Sequence, residues 1–154
     1  MILLDTNLLT RITRSQETQA DLARAAIQTL LRRGELLAIV PQNLYEFWVV
    51  ATRLPGAPPA GGNGLGMSPV QAGNWLRFFQ RRFTLLPDRE ELSRRWQMLV
   101  EAHGVTGFRA HDVRLVAAMH SYGIARLLTF NGVHFRSLSI TILDPASLLE
   151  TEQP

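Results

Sequence analysis

Three acidic residues stand where a strand gives way to the next element. Asp5 follows the apolar run Ile2-Leu3-Leu4 directly. Glu46 lies in the first turn of the helix read after a second apolar run, and Asp112 opens a mostly apolar helix that leads into a fourth. Carboxylates brought together repel one another; without a cation their pKa values rise and the fold is destabilised. A hard divalent ion relieves that repulsion, takes oxygen ligands and keeps several waters, so a few carboxylates suffice to hold it. Such an ion activates water, polarises a phosphoryl group and neutralises developing charge. Acids in this placement therefore suit metal-dependent phosphoryl chemistry. Each also has a plainer explanation. Asp5 and Asp112 are good helix N-caps, and Asn43 with Glu46 three residues on resembles a capping box. The two explanations are compatible, because helix N-termini favour carboxylates. Capping alone gives no reason for three acids to converge.

Residues this far apart need a fold to collect them. Apolar runs at 2–4, 37–40, 83–86, 126–129 and 140–143 read as short strands. Helical spacing fills the intervals: 18–33 with Leu22, Ala26 and Leu30, stopped by Gly34; 43–53 with Leu44, Phe47, Trp48 and Ala51; 69–82; and 90–103. The segment 112–122 is apolar nearly all round, which predicts a central, covered helix. Alternating strands and helices predict an α/β fold, a three-layer sandwich around a central, mostly parallel sheet of about five strands. Ligands in such sheets bind beyond the carboxyl ends of the strands, where all three acids fall. The expected organisation is a single domain over 1–145, a flexible loop over the glycine- and proline-rich 55–68, and a C-terminal tail over 146–154.

Composition removes several other classes. With 46% hydrophobic and 19% charged residues the chain is not disordered, and without cysteine it has no disulfide framework or thiolate site. No apolar run approaches the roughly 18 residues of a membrane span, and the N-terminus lacks a signal-peptide pattern, so a cytoplasmic protein without membrane contact is expected. The net charge is +3 and all 16 basic residues are arginine, whose planar fork suits phosphate; this permits a nucleic-acid partner without requiring one. A histidine–aspartate phosphohydrolase would need more than His111-Asp112, and neither His103 nor His120 opens a matching motif. No glycine-flanked serine elbow occurs. A haloacid-dehalogenase-like phosphatase would want a second aspartate where Asn7 stands, and the glycine-rich segment lacks the Lys-Ser/Thr ending of a P-loop.

Four segments in order carry a family likeness: Leu3-Leu4-Asp5-Thr6-Asn7, Asn43-Leu44-Tyr45-Glu46-Phe47, His111-Asp112 with the apolar stretch after it, and Leu128-Thr129-Phe130-Asn131-Gly132-Val133-His134-Phe135. Together they resemble the PIN-domain family, in particular its VapC-type toxin ribonucleases. The resemblance implies a PIN-like fold and an endoribonuclease dependent on Mg2+ or Mn2+, with Asp5, Glu46 and Asp112 as metal-binding, catalytic carboxylates. Thr6 and Thr129 would line the site through their hydroxyls, with Asn7 beside them in the opening motif. Asn131 stands where many members carry a fourth acid, and position 134 is histidine and not the alternative aspartate, so the site is one negative charge short. The implied partners are an RNA substrate, a protein antitoxin and a second copy of the chain in a homodimer. Two rival readings are a PIN-like module that binds RNA or protein with weak or no nuclease activity, and a hydrolase of small phosphates.

Overall fold

The computed structural model describes residues 1–14, 17–56 and 64–150. Five strands, β1 (Ile2–Leu4), β2 (Leu37–Ile39), β3 (Thr84–Leu85), β4 (Arg126–Leu128) and β5 (Thr141–Leu143), pair in the order β3-β2-β1-β4-β5, every pair parallel. Seven α-helices lie among the described residues: α1 (Thr6–Ile12), α2 (Thr18–Arg32), α3 (Pro41–Thr52), α4 (Pro69–Arg82), α5 (Leu92–Ala102), α6 (Arg109–Ser121) and α7 (Pro145–Glu150). The three-layer α/β sandwich expected from the sequence is what forms.

Strand periodicity sorts the core into two layers. Ile2 and Leu4 of β1, Leu37 and Ile39 of β2 and Leu128 of β4 join a cluster with α1, α2, α3 and α4 that includes Leu8, Phe47 and Phe79. Leu3, Ala38 and Leu127 point the other way, into a cluster with Val113, Val116 and Met119 of α6. Helix α6 buries side chains around most of its circumference because α5 covers the side that the sheet does not. Its apolar composition thus has the predicted cause.

Several boundaries differ from the sequence reading, each for a local reason. Helix α3 starts at Pro41, not at residue 43, since proline needs no hydrogen-bond partner at a first helical position. Helix α6 starts at Arg109, as soon as Gly107 (φ 61°) has turned the chain, and not at Asp112. Gly34 (φ 73°) ends α2 as predicted. The segment expected to be a tail begins with a helix, α7, which packs against α2 and brings Leu148 onto the core; residues 151–154 lie outside the described residues. Within the glycine-rich stretch, residues 57–63 also lie outside the described residues. Residues 64–67 run back along the end of α3, where the Leu65, Gly66 and Met67 amides donate to the carbonyls of Val50, Arg53 and Ala51.

The strand order reverses between β1 and β4. The chain builds β1, β2 and β3 outward in one direction, then crosses back to place β4 on the opposite side of β1. The helices after β1 cover one face and the helices before β4 cover the other, so a crevice opens at the carboxyl ends of these two strands.

Candidate functional site

Asp5, Glu46 and Asp112 line one cleft of about 860 Å³ at that crevice, together with Asn7, His111 and Asn131. Each arrives from a different element. Asp5 is the residue after β1, Glu46 sits in the second turn of α3, and Asp112 sits in the first turn of α6. The topology thus brings together three acids that are separated by most of the chain.

The local structure separates these acids from their capping explanations. Asp5 occupies the N-cap position of α1, yet its side chain makes no cap hydrogen bond. Its Oδ2 instead accepts from the Thr129 hydroxyl at 2.6 Å and from Asn7 Nδ2 at 2.7 Å. Glu46 belongs to no capping box. Asn43 closes the start of α3 by accepting from the Val40 amide at 2.8 Å, while its Nδ2 donates to the Leu4 carbonyl and to Thr6 Oγ1. The N-cap of α6 is Phe108, four residues before Asp112.

Thr6, Asn7 and Thr129 organise the floor of the cleft. Thr6 Oγ1 donates to Glu46 Oε2 at 2.6 Å, and Asn43 presses on the same hydroxyl from behind at 3.2 Å. Asn7 Nδ2 bridges Asp5 Oδ2 and Thr129 Oγ1, and Asn7 Oδ1 accepts from the Phe130 amide. The fully buried Thr129 hydroxyl also accepts from the Asn131 amide at 2.9 Å. Asn131 itself is exposed at the cleft wall, at the start of a 3-10 turn (Gly132–Phe135).

Burial and neighbouring charge both act on Asp5 and Asp112. The Asp5 carboxyl is raised from 3.8 to about 6, chiefly by burial and further by Glu46 and Asp112, against the hydrogen bonds from Thr129 and Asn7. Burial also raises Asp112, with Glu46 adding to the rise and His134 opposing it. His134 Nδ1 lies 3.2 Å from Asp112 Oδ2, and His111 Nδ1 lies 3.9 Å from Glu46 Oε1.

Among the described residues no three Asp, Glu or His side chains close into a ready-made metal cage. The donor set still fits a magnesium-type ion, which is bound through one or two carboxylates and completes its shell with water and substrate oxygens. Hard carboxylate oxygens that repel one another in a water-accessible cleft are the chemistry such an ion relieves.

Sequence reasoning missed Gln42 and Arg114, and noted His134 only as standing in place of an acid, not as a neighbour of Asp112. Gln42 is buried and bonds to both helices that carry the outer acids: its Nε2 donates to Glu46 Oε1 at 2.7 Å and to the His111 carbonyl at 2.8 Å. The available signal was a polar residue directly after a strand and a proline, in the zone where ligands bind. His103 and His120 do not reach the cleft.

No protein-family model matches the sequence, and no curated protein matches it either. Solved structures do match in fold. VapBC2 from Rickettsia felis, bound to a DNA fragment from its promoter, superposes with a TM-score of 0.66 at 16% identity, over 94% of this chain and 98% of that one. FitAcB from Neisseria gonorrhoeae gives 0.63 at 19% identity, over 95% and 99%. VapC20 of Mycobacterium tuberculosis, a sarcin–ricin loop cleaving toxin, gives 0.59 at 16% identity, over 91% and 97%. The chain has the PIN-domain fold. In PIN-fold terms, the cleft lies at the switch point of the sheet, and the ordered segments that carry the family likeness all contribute to it. None of the described helices is long and apolar enough to cross a membrane.

Proposed function

We propose that the chain is a divalent-metal-dependent endoribonuclease and the toxin of a toxin–antitoxin pair. The observation that carries this reading is the raised Asp5 carboxyl, facing Glu46 and Asp112 across one cleft at the switch point of a PIN fold. A site built this way destabilises its own fold unless a cation neutralises it. Asp5, Glu46 and Asp112 would hold Mg2+ or Mn2+, which when bound supplies an activated water and neutralises charge on a phosphodiester.

The chain's own residues prepare that site. The Thr129 hydroxyl and the Asn7 side chain both bond to Oδ2 of Asp5 and hold the carboxylate in one orientation at the cleft. Thr6 fixes one oxygen of Glu46, and Gln42 fixes the other. Asn131, at the fourth-acid position, adds an amide oxygen without charge, which suits one tightly held ion better than two. The neighbours, several of them toxin–antitoxin complexes, support a protein antitoxin as partner. Tyr45, Val49 and Phe108, exposed around the cleft, would give that partner an apolar rim.

The test is cleavage of a pool of structured RNAs with magnesium, with manganese and with chelator, using wild type and Asp5→Asn. Metal-dependent cleavage that Asp5→Asn abolishes is expected. Cleavage that survives chelator or the substitution refutes the reading. RNA binding without cleavage under every metal condition would favour the binding-module alternative.

A further inference from the structure

The carboxylate of Glu46 is approached on its Oε1 side by an amide whose orientation is itself dictated. Gln42 spends both hydrogens of Nε2 on acceptors, Glu46 Oε1 at 2.7 Å and the His111 carbonyl at 2.8 Å. Its Oε1 accepts from Arg114 Nη1 at 3.0 Å. Arg114 is in turn clamped by Asp88, whose Oδ2 lies 2.6 Å from Nη2. A reversed amide would set its oxygen against a carboxylate and a carbonyl, and its hydrogens against a guanidinium. Arginine cannot deprotonate, so this constraint persists at any working pH. Asp88 lies after β3, Gln42 on α3 and Arg114 on α6, so the chain of bonds crosses three elements and ends on a metal-site acid.

We propose that Asp88, Arg114 and Gln42 form a relay that positions Glu46, and through the His111 carbonyl the turn that carries Asp112, for their part in the metal site. Gln42 is a positioning residue, and Arg114 acts through Gln42 and not on the RNA. The proposal deepens the metal-dependent reading above and rests on it. Gln42 is 5% exposed and holds a fixed donor on Glu46 Oε1; mobile water in the cleft would not hold that carboxylate in one orientation, and Glu46 would turn away from its set geometry.

The test uses Gln42→Met, Arg114→Met and the double variant. Manganese affinity is measured by calorimetry, the fold by thermal unfolding, and RNA cleavage as separate kcat and KM. Methionine matches glutamine in length, keeps the aliphatic stem of arginine, and removes the donors of both. Gln42→Met is expected to weaken manganese binding by about 10- to 100-fold, the range typical of lost support to a metal ligand. Arg114→Met is expected to shift it in the same direction, with kcat falling and KM for RNA unchanged. The double variant is expected to be no weaker than Gln42→Met alone, because both substitutions break one relay. Additive losses, or a raised KM in Arg114→Met, would overturn the relay and make Arg114 a direct RNA contact. Arg114 is half-buried, so Arg114→Met carries the test if Gln42→Met does not fold. Wild type that binds no manganese overturns the metal reading and the relay with it. Wild type that binds manganese, with Gln42→Met binding equally well, overturns the relay alone.

Discussion

Replacing Asp5 by asparagine separates its electrostatic cost from its structural work. The two side-chain hydrogen bonds that Asp5 receives fall on Oδ2, from Thr129 and Asn7. An asparagine Oδ1 in that place accepts both, and its NH2 replaces the other carboxylate oxygen. The backbone position at the start of α1 tolerates asparagine as well as aspartate. What disappears is a charge that the fold resists. The carboxyl titrates at about 6 in the folded chain against 3.8 for the free group. That rise corresponds to about 3 kcal/mol, and solvent reaching the partly exposed Asp5 reduces this to about 1–3 kcal/mol. Between those two pKa values the folded chain keeps a proton that the unfolded chain has released, so wild-type stability falls as pH rises from about 4 to about 6. At about pH 7.5 the metal-free Asp5→Asn variant should be the more stable by that amount, a gain of about 3–10 °C in Tm for a domain of this size. At about pH 4 the difference should vanish, since wild-type Asp5 is then neutral in the folded chain. Manganese should reverse the order at neutral pH by stabilising wild type alone, by about 4.1 kcal/mol at about a thousand times its Kd. Thermal unfolding of both proteins at the two pH values, with chelator and with manganese, decides the matter. A variant no more stable than wild type at neutral pH would refute the electrostatic account of the cleft.

Three further outcomes follow from the same geometry. Thr129→Val removes the buried hydroxyl that donates to Asp5 and accepts from Asn7 and the Asn131 amide, and should cost about 1.5–3 kcal/mol in urea denaturation, with Asp5 titrating still higher by NMR. Asn131→Asp restores a fourth acid to the cleft wall and should strengthen manganese binding in calorimetry while lowering the stability of the metal-free protein at neutral pH. Phe47→Ala empties a fully buried position packed edge-on to Phe79 at 4.9 Å, and should destabilise the fold by about 3–5 kcal/mol without altering the cleft's polar contacts.

The parts of the fold carried by periodicity were legible in the sequence. Apolar strands, the stripe of α3 and the covered helix α6 all follow from residue spacing, and the alternation of strands and helices implies a parallel sheet. Helix starts were less legible because they depend on backbone geometry set by single residues. Pro41 can open α3 although it interrupts nothing in the apolar pattern, and Gly107 releases the chain into α6, which begins three residues before its first acid. These two shifts convert Glu46 and Asp112 from cap candidates into side chains of the helix itself. Gln42 and Arg114 were illegible for another reason. Their partners lie 69 and 26 residues away, at the His111 carbonyl and Asp88; the position of Gln42 after a strand could mark it as near the site, but no local pattern announces contacts that only the assembled sheet creates.

The placement of β4 beside β1 also sets when the cleft can exist during synthesis. Asp5 leaves the ribosome 124 residues ahead of the Thr129 hydroxyl that orients it. Until β4 has been made and inserted next to β1, the nascent chain holds Asp5 without Thr129, and the α6 acid without the strand that seats its helix. Such long-range parallel pairing is slow to form because loop closure must precede it. A cleft built from segments 124 residues apart is therefore completed only after both have emerged, and no finished site exists beside the ribosome before β4 has been made.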